Sequence, residues 1–340
     1  TPLEESEALE IGVLVGGTHG FASYLIERLG GFEYANIDAT LTSFASGPVM
    51  VESMASGAID CGAYGLGGTL AGTIGQDIIN LGMLSADYYA LMIYANNETD
   101  LVKDGAGHVE GHPLIYGTKD DWKGLEIYCP IGTTLHYMLG KNLEAMGLSL
   151  DDVSVTHMDV PNINTALRAG QADVGALWSQ YCYSDMEDQG YTAVMSSEAV
   201  GIELVTTISA TQDAMQNKRE TVKKWMELLF AVQEWVYGSD ENYQQAVEWF
   251  VEWNEDNGYP STEEECDGHL QHEFLYTLDQ NYEMFQTPSR YGTCNALCDM
   301  TYDPLKFYVE QGNYTEEDLQ KVADPAYWDG SIITELHDAK

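Results

Sequence analysis

Cys266, His269 and His272 have the residue types and the spacing of a metal site. If this segment is helical, the three side chains share one face, and a thiolate with two imidazoles suits a soft divalent ion. The neighbouring residues are strongly acidic, however, and a solvated acidic helix accounts for the same pattern. We therefore predict no bound metal and no other cofactor, and keep the metal site as the alternative.

Motifs of nucleotide-dependent and hydrolytic enzymes do not occur in the sequence. There is no phosphate-binding P-loop, no G-x-S-x-G elbow and no H-E-x-x-H pair of zinc ligands. The nearest approach to a dinucleotide-binding fingerprint has Gly65 and Gly67, but Leu70 stands where the third glycine is needed. Cys61 and Cys182 lie beside predicted strand ends and are the candidates for thiol catalysis. The sequence predicts a protein that is not an enzyme, with a thiol-dependent enzyme as the alternative.

The charge balance excludes several kinds of partner. The chain has 340 residues, with 14 Lys and Arg against 55 Asp and Glu, which gives a formal net charge of −41. Nucleic acids and anionic membrane surfaces bind basic faces, so neither is a predicted partner. The hydrophobic fraction of 44% is too high for a disordered acidic chain. No apolar run approaches the roughly 20 residues of a membrane helix. We expect a folded, acidic protein.

Three cysteines in the C-terminal part are candidates for disulfide bonds. Cys294 and Cys298 lie in a turn-rich segment, where they can pair with each other or with Cys266 in an oxidising compartment. The spacing alone does not decide between these pairings, nor does it decide whether the thiols stay reduced.

Short β-branched and apolar runs alternate with helical patterns between residues 10 and 210. This alternation predicts two α/β lobes, each with a mostly parallel sheet flanked by helices. The polar segment 100–123 is typical of a linker or a crossover loop. Beyond residue 212 only helical periodicity is found, which predicts a C-terminal tail packed on the first lobe. The predicted divisions are 1–98 for the first part of lobe 1, 99–205 for lobe 2, and 206–340 for the return to lobe 1 with the C-terminal helices.

Three segments carry a more specific pattern, in a fixed order along the chain. They are SGPVMVESMASGAIDCG at 46–62, WKGLEIYCPIGTT at 122–134 and ALRAGQADVGALW at 166–178. Together they resemble the type II periplasmic binding proteins. More narrowly, they resemble the solute receptors of ATP-driven importers for aliphatic sulfonates, taurine, nitrate and thiamine-pyrimidine precursors. The resemblance covers residues 10–210.

The resemblance implies an extracytoplasmic receptor that binds a small organic molecule and delivers it to the membrane permease of an ABC importer by hinge closure. It implies a location in the periplasm, or on the cell surface as a lipoprotein tethered through a removed or lipidated N-terminus, and a monomeric state. The alternative is an enzyme on the same fold, similar to the thiamine-pyrimidine synthases or to the desulfinases.

The family's ligand cleft lies between the lobes, where strand ends and helix N-termini meet. Several of the corresponding positions here are aromatic and none is an arginine. We therefore expect a planar, aromatic or sulfonate-like organic ligand, and the sequence leaves its charge open. The predicted ligand-binding residues are Gly17, Thr18, His19, Phe44, Ser46, Gly47, Tyr64, Gly65, Asp87, Tyr88, Thr133, Thr134, His136, Asp159, Val160, Trp178 and Tyr181.

Overall fold

The structure is a computed structural model that describes residues 1–86, 91–178, 181, 186–258, 260–273, 275–292 and 294–340. These residues form two compact units. Unit 1 contains residues 1–86, 205–270 and the described part of 275–340, and unit 2 contains the described part of 91–204 together with 271–273.

The strands of the described residues form two five-stranded sheets, one in each unit. The order is β2-β1-β3-β10-β4 in unit 1 and β7-β6-β8-β5-β9 in unit 2. The strands are β1 (Glu7–Leu14), β2 (Ile37–Phe44), β3 (Cys61–Tyr64), β4 (Ile79–Ala86), β5 (Leu91–Asn96), β6 (Glu126–Cys129), β7 (Ser154–His157), β8 (Val174–Trp178), β9 (Tyr191–Ser196) and β10 (Val205–Ala210).

Each sheet is mixed, with one antiparallel strand in the fourth position. In unit 1, β1 runs parallel to β2 and β3, whereas β10 runs antiparallel to both β3 and β4. In unit 2, β6 runs parallel to β7 and β8, whereas β5 runs antiparallel to both β8 and β9. The predicted two-lobed α/β class is confirmed, and the sheets are mostly parallel as expected.

Helices follow most of the parallel strands and make up the C-terminal part. None of those in the described residues combines the length and the apolar character needed to cross a membrane. The α-helices are α1 (Thr18–Arg28), α2 (Gly31–Ala35), α3 (Gly47–Ala55), α4 (Leu66–Leu70), α5 (Asp100–Asp104), α6 (Lys119–Trp122), α7 (Thr134–Ala145), α8 (Val160–Arg168), α9 (Gln212–Asn217), α10 (Arg219–Val236), α11 (Asp240–Asp256), α12 (Glu263–His272), α13 (Leu278–Gln286), α14 (Ala296–Glu310), α15 (Glu316–Val322) and α16 (Ser331–Asp338).

The structure divides the chain after residue 86, where the sequence pattern placed the division after residue 98. The strand β5 is the reason, because it pairs with β8 and β9 of unit 2. The apolar pattern of a strand does not specify its partners, so this pairing is not predictable from the pattern of β5 alone.

The segment 100–123 belongs to unit 2 and contains α5 and α6, so of the two interpretations, a linker or a crossover loop, the linker is excluded. The segment is polar and rich in glycine on average, but three of its apolar side chains are at most 1% exposed: Leu101, Ile115 and Trp122. The indole N–H of Trp122 donates to the carbonyl of Tyr116 at 2.8 Å. A few fully buried side chains are therefore enough to fix a segment whose average composition is polar.

Aromatic side chains from several helices meet at the centre of the unit 1 core. Phe21 of α1 stacks on Phe250 of α11 with ring centroids 4.4 Å apart. Trp225 of α10 is 1% exposed and donates its indole N–H to Ser23 Oγ at 3.4 Å. Burial of rings of this size contributes strongly to stability. These contacts hold α1 against the sheet, and its first turn therefore has a fixed position at the sheet edge.

The basic side chains are largely paired with carboxylates, which leaves most of the acidic surface uncompensated. Arg219 and Lys223 both contact Glu335 at 2.7 Å, and their hydrogen bonds lower the pKa of that carboxyl to about 2. Lys218 contacts Asp60 at 2.7 Å. With 55 acidic residues against 14 basic ones, repulsion between the remaining carboxylates opposes folding.

We expect added salt to stabilise the protein. Raising NaCl from about 0.01 M to about 1 M shortens the screening length from roughly 30 Å to roughly 3 Å, which weakens this repulsion. The melting temperature should rise by several degrees, measured by differential scanning fluorimetry at neutral pH. The same titration near pH 4, where many carboxylates are protonated, should give a smaller rise. A melting temperature that falls with salt at neutral pH would contradict the prediction.

Candidate functional site

In unit 1, three helices begin at one edge of the sheet. The strands β2, β1 and β3 are neighbours and parallel, so their carboxyl ends lie at the same edge. Leu14, which ends β1, stands opposite Phe44, which ends β2. The helices α1, α3 and α4 follow these strands, and their first turns carry the partial positive charge of a helix N-terminus. We call this the unit 1 edge.

Thr18, the first residue of α1, is the most informative side chain of the unit 1 edge. It is 0% exposed, and its hydroxyl has no hydrogen-bond partner in the structure. A buried hydroxyl without a partner costs about 1–3 kcal/mol. Gly17, the N-cap, has no side chain with which to cap the helix, and the ring of His19 turns back over it, 2.2 Å from where a Cβ on Gly17 would lie. The hydroxyl of Thr18, at the start of α1, can therefore form a further hydrogen bond.

The start of α3 is packed directly against β3 and α4. A Cβ added to Gly47 would lie 3.0 Å from both Tyr64 Cβ and Gly68 Cα, so glycine permits the close approach. Tyr64 is 0% exposed, and burial raises the pKa of its phenol. Its ring packs in a small buried apolar cluster, so it stabilises the packing of the unit 1 edge. Ser46, Gly65 and Phe44 remain half-buried at the surface of the edge.

Unit 2 has an equivalent edge. The strands β7, β6 and β8 are neighbours and parallel, and they are followed by α8, by α7 and by Trp178 at the end of β8. Thr134 begins α7 and is buried, and Val160 begins α8 and is 1% exposed. We call this the unit 2 edge.

Two histidines hold the loop that leads into α7. Ile131 donates its backbone N–H to His157 Nδ1 at 3.1 Å, and Gly132 donates its own to His136 Nδ1 at 3.3 Å. His136 is 5% exposed, and burial lowers its pKa to about 4. A neutral imidazole is required here, because a protonated Nδ1 cannot accept a hydrogen bond. The shape of the unit 2 edge therefore depends on an uncharged His136.

Three helices of the two edges begin with good capping residues that do not cap. Ser46, Thr133 and Asp159 occupy the N-cap positions of α3, α7 and α8, yet none makes a side-chain capping hydrogen bond. Thr133 instead donates its hydroxyl to the carbonyl of Pro130 at 2.7 Å. Uncapped first turns are suited to bind an anion or another hydrogen-bond acceptor. Side-chain caps are present at other helices, at Thr211, Ser239, Thr277, Asn295 and Thr315.

Two exposed aliphatic side chains at the edges were not singled out from the sequence. Val49 in the first turn of α3 is 48% exposed, and Ile131 before α7 is 43% exposed. Each lies within two residues of a predicted site residue, Gly47 or Thr133, and this adjacency was the available signal. With half-buried Phe44 and Trp178, they give both edges an apolar surface beside the helix N-termini.

None of the four arginines lies in the strand-to-helix turns of these edges. Arg28 and Arg168 end α1 and α8, which places them at the opposite sheet edges. Arg219 pairs with Glu335, and Arg290 pairs with Asp303 and lies over the ring of Tyr291. A ligand at either edge would therefore be held by backbone N–H groups, hydroxyls and apolar surfaces rather than by guanidinium groups.

The remaining predicted residues have varied placements. Tyr181 is half-buried, Asp159 is exposed, and Asp87, Tyr88 and Cys182 lie outside the described residues. Cys61 is 0% exposed, and its burial raises the pKa of the thiol well above the usual range. A thiol of this kind stays protonated and is a poor nucleophile.

The cluster of Cys266, His269 and His272 lies on α12. The Sγ of Cys266 is 3.2 Å from Ser261 Oγ, and the side-chain N–H of Asn254 lies 3.6 Å from it. Burial raises the pKa of this thiol to about 11. Within the described ranges, no group of three or more His, Cys, Asp or Glu side chains is arranged to hold a metal ion.

Comparison with protein families and curated proteins identifies relatives. The NMT1-like family matches residues 4–251, which is more than half of the chain. A putative ABC transporter periplasmic binding protein of Brachyspira hyodysenteriae is 28% identical over 240 residues, 63% of this chain and 66% of that protein. A putative aliphatic sulfonates-binding protein of Escherichia coli is 26% identical over 193 residues, 56% of this chain and 54% of that protein. These matches thus span about two thirds of the first relative and about half of the second.

Solved structures share the fold over almost the whole chain. The alkanesulfonate-binding protein SsuA from Xanthomonas axonopodis pv. citri, bound to MOPS, has a TM-score of 0.71 at 18% identity and covers 96% of this chain and 100% of its own. The periplasmic nitrate-binding protein NrtA from Synechocystis has a TM-score of 0.72 at 12% identity and covers 100% of this chain and 90% of its own. The chain belongs to the NMT1-like family and has the two-lobed α/β fold of the type II periplasmic binding proteins.

Proposed function

We propose that this protein is an extracytoplasmic solute receptor that delivers a small organic molecule to the membrane permease of an ABC importer. The observation that carries the proposal is Thr18, a fully buried hydroxyl without a partner at the first turn of α1. A buried hydroxyl without a partner lowers the stability of the folded protein. A bound ligand that accepts a hydrogen bond from Thr18 would remove this penalty. The names of the curated relatives, which are binding proteins, support the same function.

The edges also favour a class of ligand. The uncapped N-termini of α3, α7 and α8 offer N–H donors to an acceptor such as a sulfonate, a carboxylate or a ring carbonyl. Phe44, Trp178, Val49 and Ile131 offer apolar area to a planar or aliphatic body. We therefore propose an organic molecule with one acceptor-rich end and one apolar body. A lipidated N-terminus and a monomeric state stay predictions from the sequence.

Calorimetric titration of the purified protein tests this proposal. The panel contains MOPS, taurine, nitrate, pyrimidines and small aromatic acids, and each bound compound is recovered and analysed by mass spectrometry. We expect tight binding of at least one compound that has an apolar body, with nitrate and taurine weaker, and recovery of that compound unchanged. Chemical conversion of the bound compound would show that the protein is an enzyme rather than a receptor. A preference for nitrate or taurine would overturn the proposed ligand class.

Thr18→Val should strengthen the fold and weaken binding at the same time. Valine keeps the shape of threonine but removes the unsatisfied hydroxyl, so the free energy of unfolding should rise by about 1 kcal/mol. The affinity for the ligand found by titration should fall about tenfold, which corresponds to about 1.4 kcal/mol. Urea denaturation and calorimetry measure the two effects.

Thr221→Val is the matched control. Thr221 is also 0% exposed, but its hydroxyl donates to the carboxylate of Glu7, which begins β1 and so lies at the end of that strand opposite to Thr18. This variant should lose stability and keep its affinity. An unchanged affinity in Thr18→Val would show that the start of α1 does not contact the ligand.

A further inference from the structure

The turn that precedes α14 brings two cysteine side chains into contact. Cys294 lies just before the N-cap residue Asn295, and Cys298 lies in the first turn of the helix. The two thiols share a hydrogen bond. Cys294 is half-buried, whereas Cys298 is 0% exposed. Both are thiols in the structure.

The surrounding contacts already fix the backbone on both sides of this pair. Asn295 accepts the backbone N–H of Cys298 at 2.9 Å, and the N–H of Ala296 donates to the carbonyl of Thr287 at 3.0 Å. The buried carboxylate of Asp299 accepts from Ser289 Oγ at 2.5 Å and from the N–H of Arg290 at 2.7 Å. Residues 287–290 and Asn295 thus contact the first turn of α14, which places Cys294 beside that turn.

The site also tolerates the loss of the thiol hydrogens. Cys298 donates its S–H to the carbonyl of Val322 at 3.3 Å. The same carbonyl accepts the indole N–H of Trp328 at 2.7 Å, so it stays satisfied when the S–H is removed. Oxidation therefore leaves no buried acceptor without a partner at this position.

We propose that Cys294 and Cys298 form a disulfide that fastens Cys294 to the first turn of α14. The oxidant is a disulfide of the glutathione or thiol-oxidase class. The hydrogen bond with Cys298 and burial raise the pKa of the Cys294 thiol, so its thiolate is a minor species and the first step is slow. That thiolate, on the more accessible of the two residues, attacks a sulfur of the oxidant and expels one thiolate, which gives a mixed disulfide. The thiolate of Cys298 then attacks the Cys294 sulfur and expels the second thiolate. The two cysteines lose two protons and two electrons, and the oxidant becomes two thiols.

The other described cysteines are placed elsewhere in the molecule. Cys61 lies on β3, Cys129 on β6 and Cys266 on α12, and each is at most 1% exposed. Cys266 contacts Ser261 and Asn254. The structure therefore favours the pairing of Cys294 with Cys298 over the pairing of either residue with Cys266.

Glutathione disulfide tests this inference on the folded protein. After treatment, the protein is alkylated in denaturant, digested and analysed by mass spectrometry. We expect a peptide that contains both Cys294 and Cys298, unalkylated and lighter by two hydrogen atoms, whereas Cys61, Cys129 and Cys266 are alkylated. A lasting glutathione adduct on Cys294, or a bond to Cys266, would overturn the proposal.

The melting temperature provides the second readout. Closing a loop this short should raise the melting temperature by about 3 °C, and dithiothreitol should reverse the rise. The Cys294→Ala variant, which removes the more exposed thiol, should melt at one temperature under both conditions. Cys266→Ala should keep the redox-dependent difference whatever its own stability. Equal melting temperatures for the oxidised and reduced wild-type protein would overturn the fastening role.

Discussion

Gly20→Ala should lower the free energy of unfolding by about 3 kcal/mol, because the added methyl group has no space. A Cβ on Gly20 would lie 1.9 Å from the carbonyl oxygen of Leu14 and 2.9 Å from the ring of Trp253. The first of these atoms belongs to the backbone at the end of β1, so it cannot move without displacing the strand. Urea denaturation followed by circular dichroism measures the loss.

Gly75→Ala is the matched control for this substitution. A Cβ on Gly75 meets nothing within 4 Å, and the residue does not have a left-handed backbone conformation. The free energy of unfolding of this variant should stay close to that of the wild-type protein or rise slightly, since alanine restricts the conformations of the unfolded chain. If Gly20→Ala were as stable as Gly75→Ala, the close contact between α1 and β1 would not be essential to the fold.

The same contact links the fold to the candidate site. Because Gly20 lets α1 lie directly against the end of β1, the uncapped first turn with Thr18 is held at the unit 1 edge. Any relaxation that accommodates a methyl group must shift this turn. Gly20→Ala should therefore lose ligand affinity even below its melting temperature, whereas Gly75→Ala should keep it.

The contribution of His136 to stability should fall by up to about 3 kcal/mol as the pH decreases from about 6.5 to about 4. Burial lowers the pKa of His136 to about 4 in the folded protein, so the unfolded chain takes up a proton at a higher pH than the folded chain does. The contribution of His136 is therefore complete above the unfolded pKa and disappears as the pH falls through this window. Denaturant unfolding at a series of pH values measures it.

His136→Asn separates this effect from the titration of the many carboxylates. The side-chain oxygen of asparagine can accept the backbone N–H of Gly132 in place of Nδ1 but does not titrate. The variant should show a flatter stability profile between pH 4 and pH 6.5. Parallel profiles for His136→Asn and the wild-type protein would refute the assignment.

Local pattern was sufficient to locate many of the elements. The segment IDATLTSF alternates apolar and polar residues and forms β2 at Ile37–Phe44, and Gly47-Pro48 opens α3 as expected for proline in a first turn. The family resemblance and the two-lobed class are confirmed. Strand pairing was not accessible in this way: nothing in VTTISA indicates that β10 lies between β3 and β4. Pairing depends on residues more than a hundred positions away.

The candidate site shows the same division between local and distant information. Thr18 was predicted because a strand, a glycine turn and a helix follow one another in the sequence. That its hydroxyl is buried without a partner depends on neighbours from other elements, which no local pattern specifies. Tyr64 was predicted for its position at a strand end, but its complete burial follows from the glycines that let α3 and α4 approach it. The ligand contacts of these residues stay a prediction.

The position of β10 also determines the order in which the two units can be completed during synthesis. The unit 1 sheet needs residues 205–210 between β3 and β4, so the first 86 residues leave the ribosome with a gap at the fourth position of their sheet. The unit 2 sheet uses only strands between residues 91 and 196, and all of them are available earlier. Unit 2 can therefore fold while unit 1 still waits for its missing strand. Chains truncated before residue 205 should accumulate with a folded second unit and an open, aggregation-prone first unit.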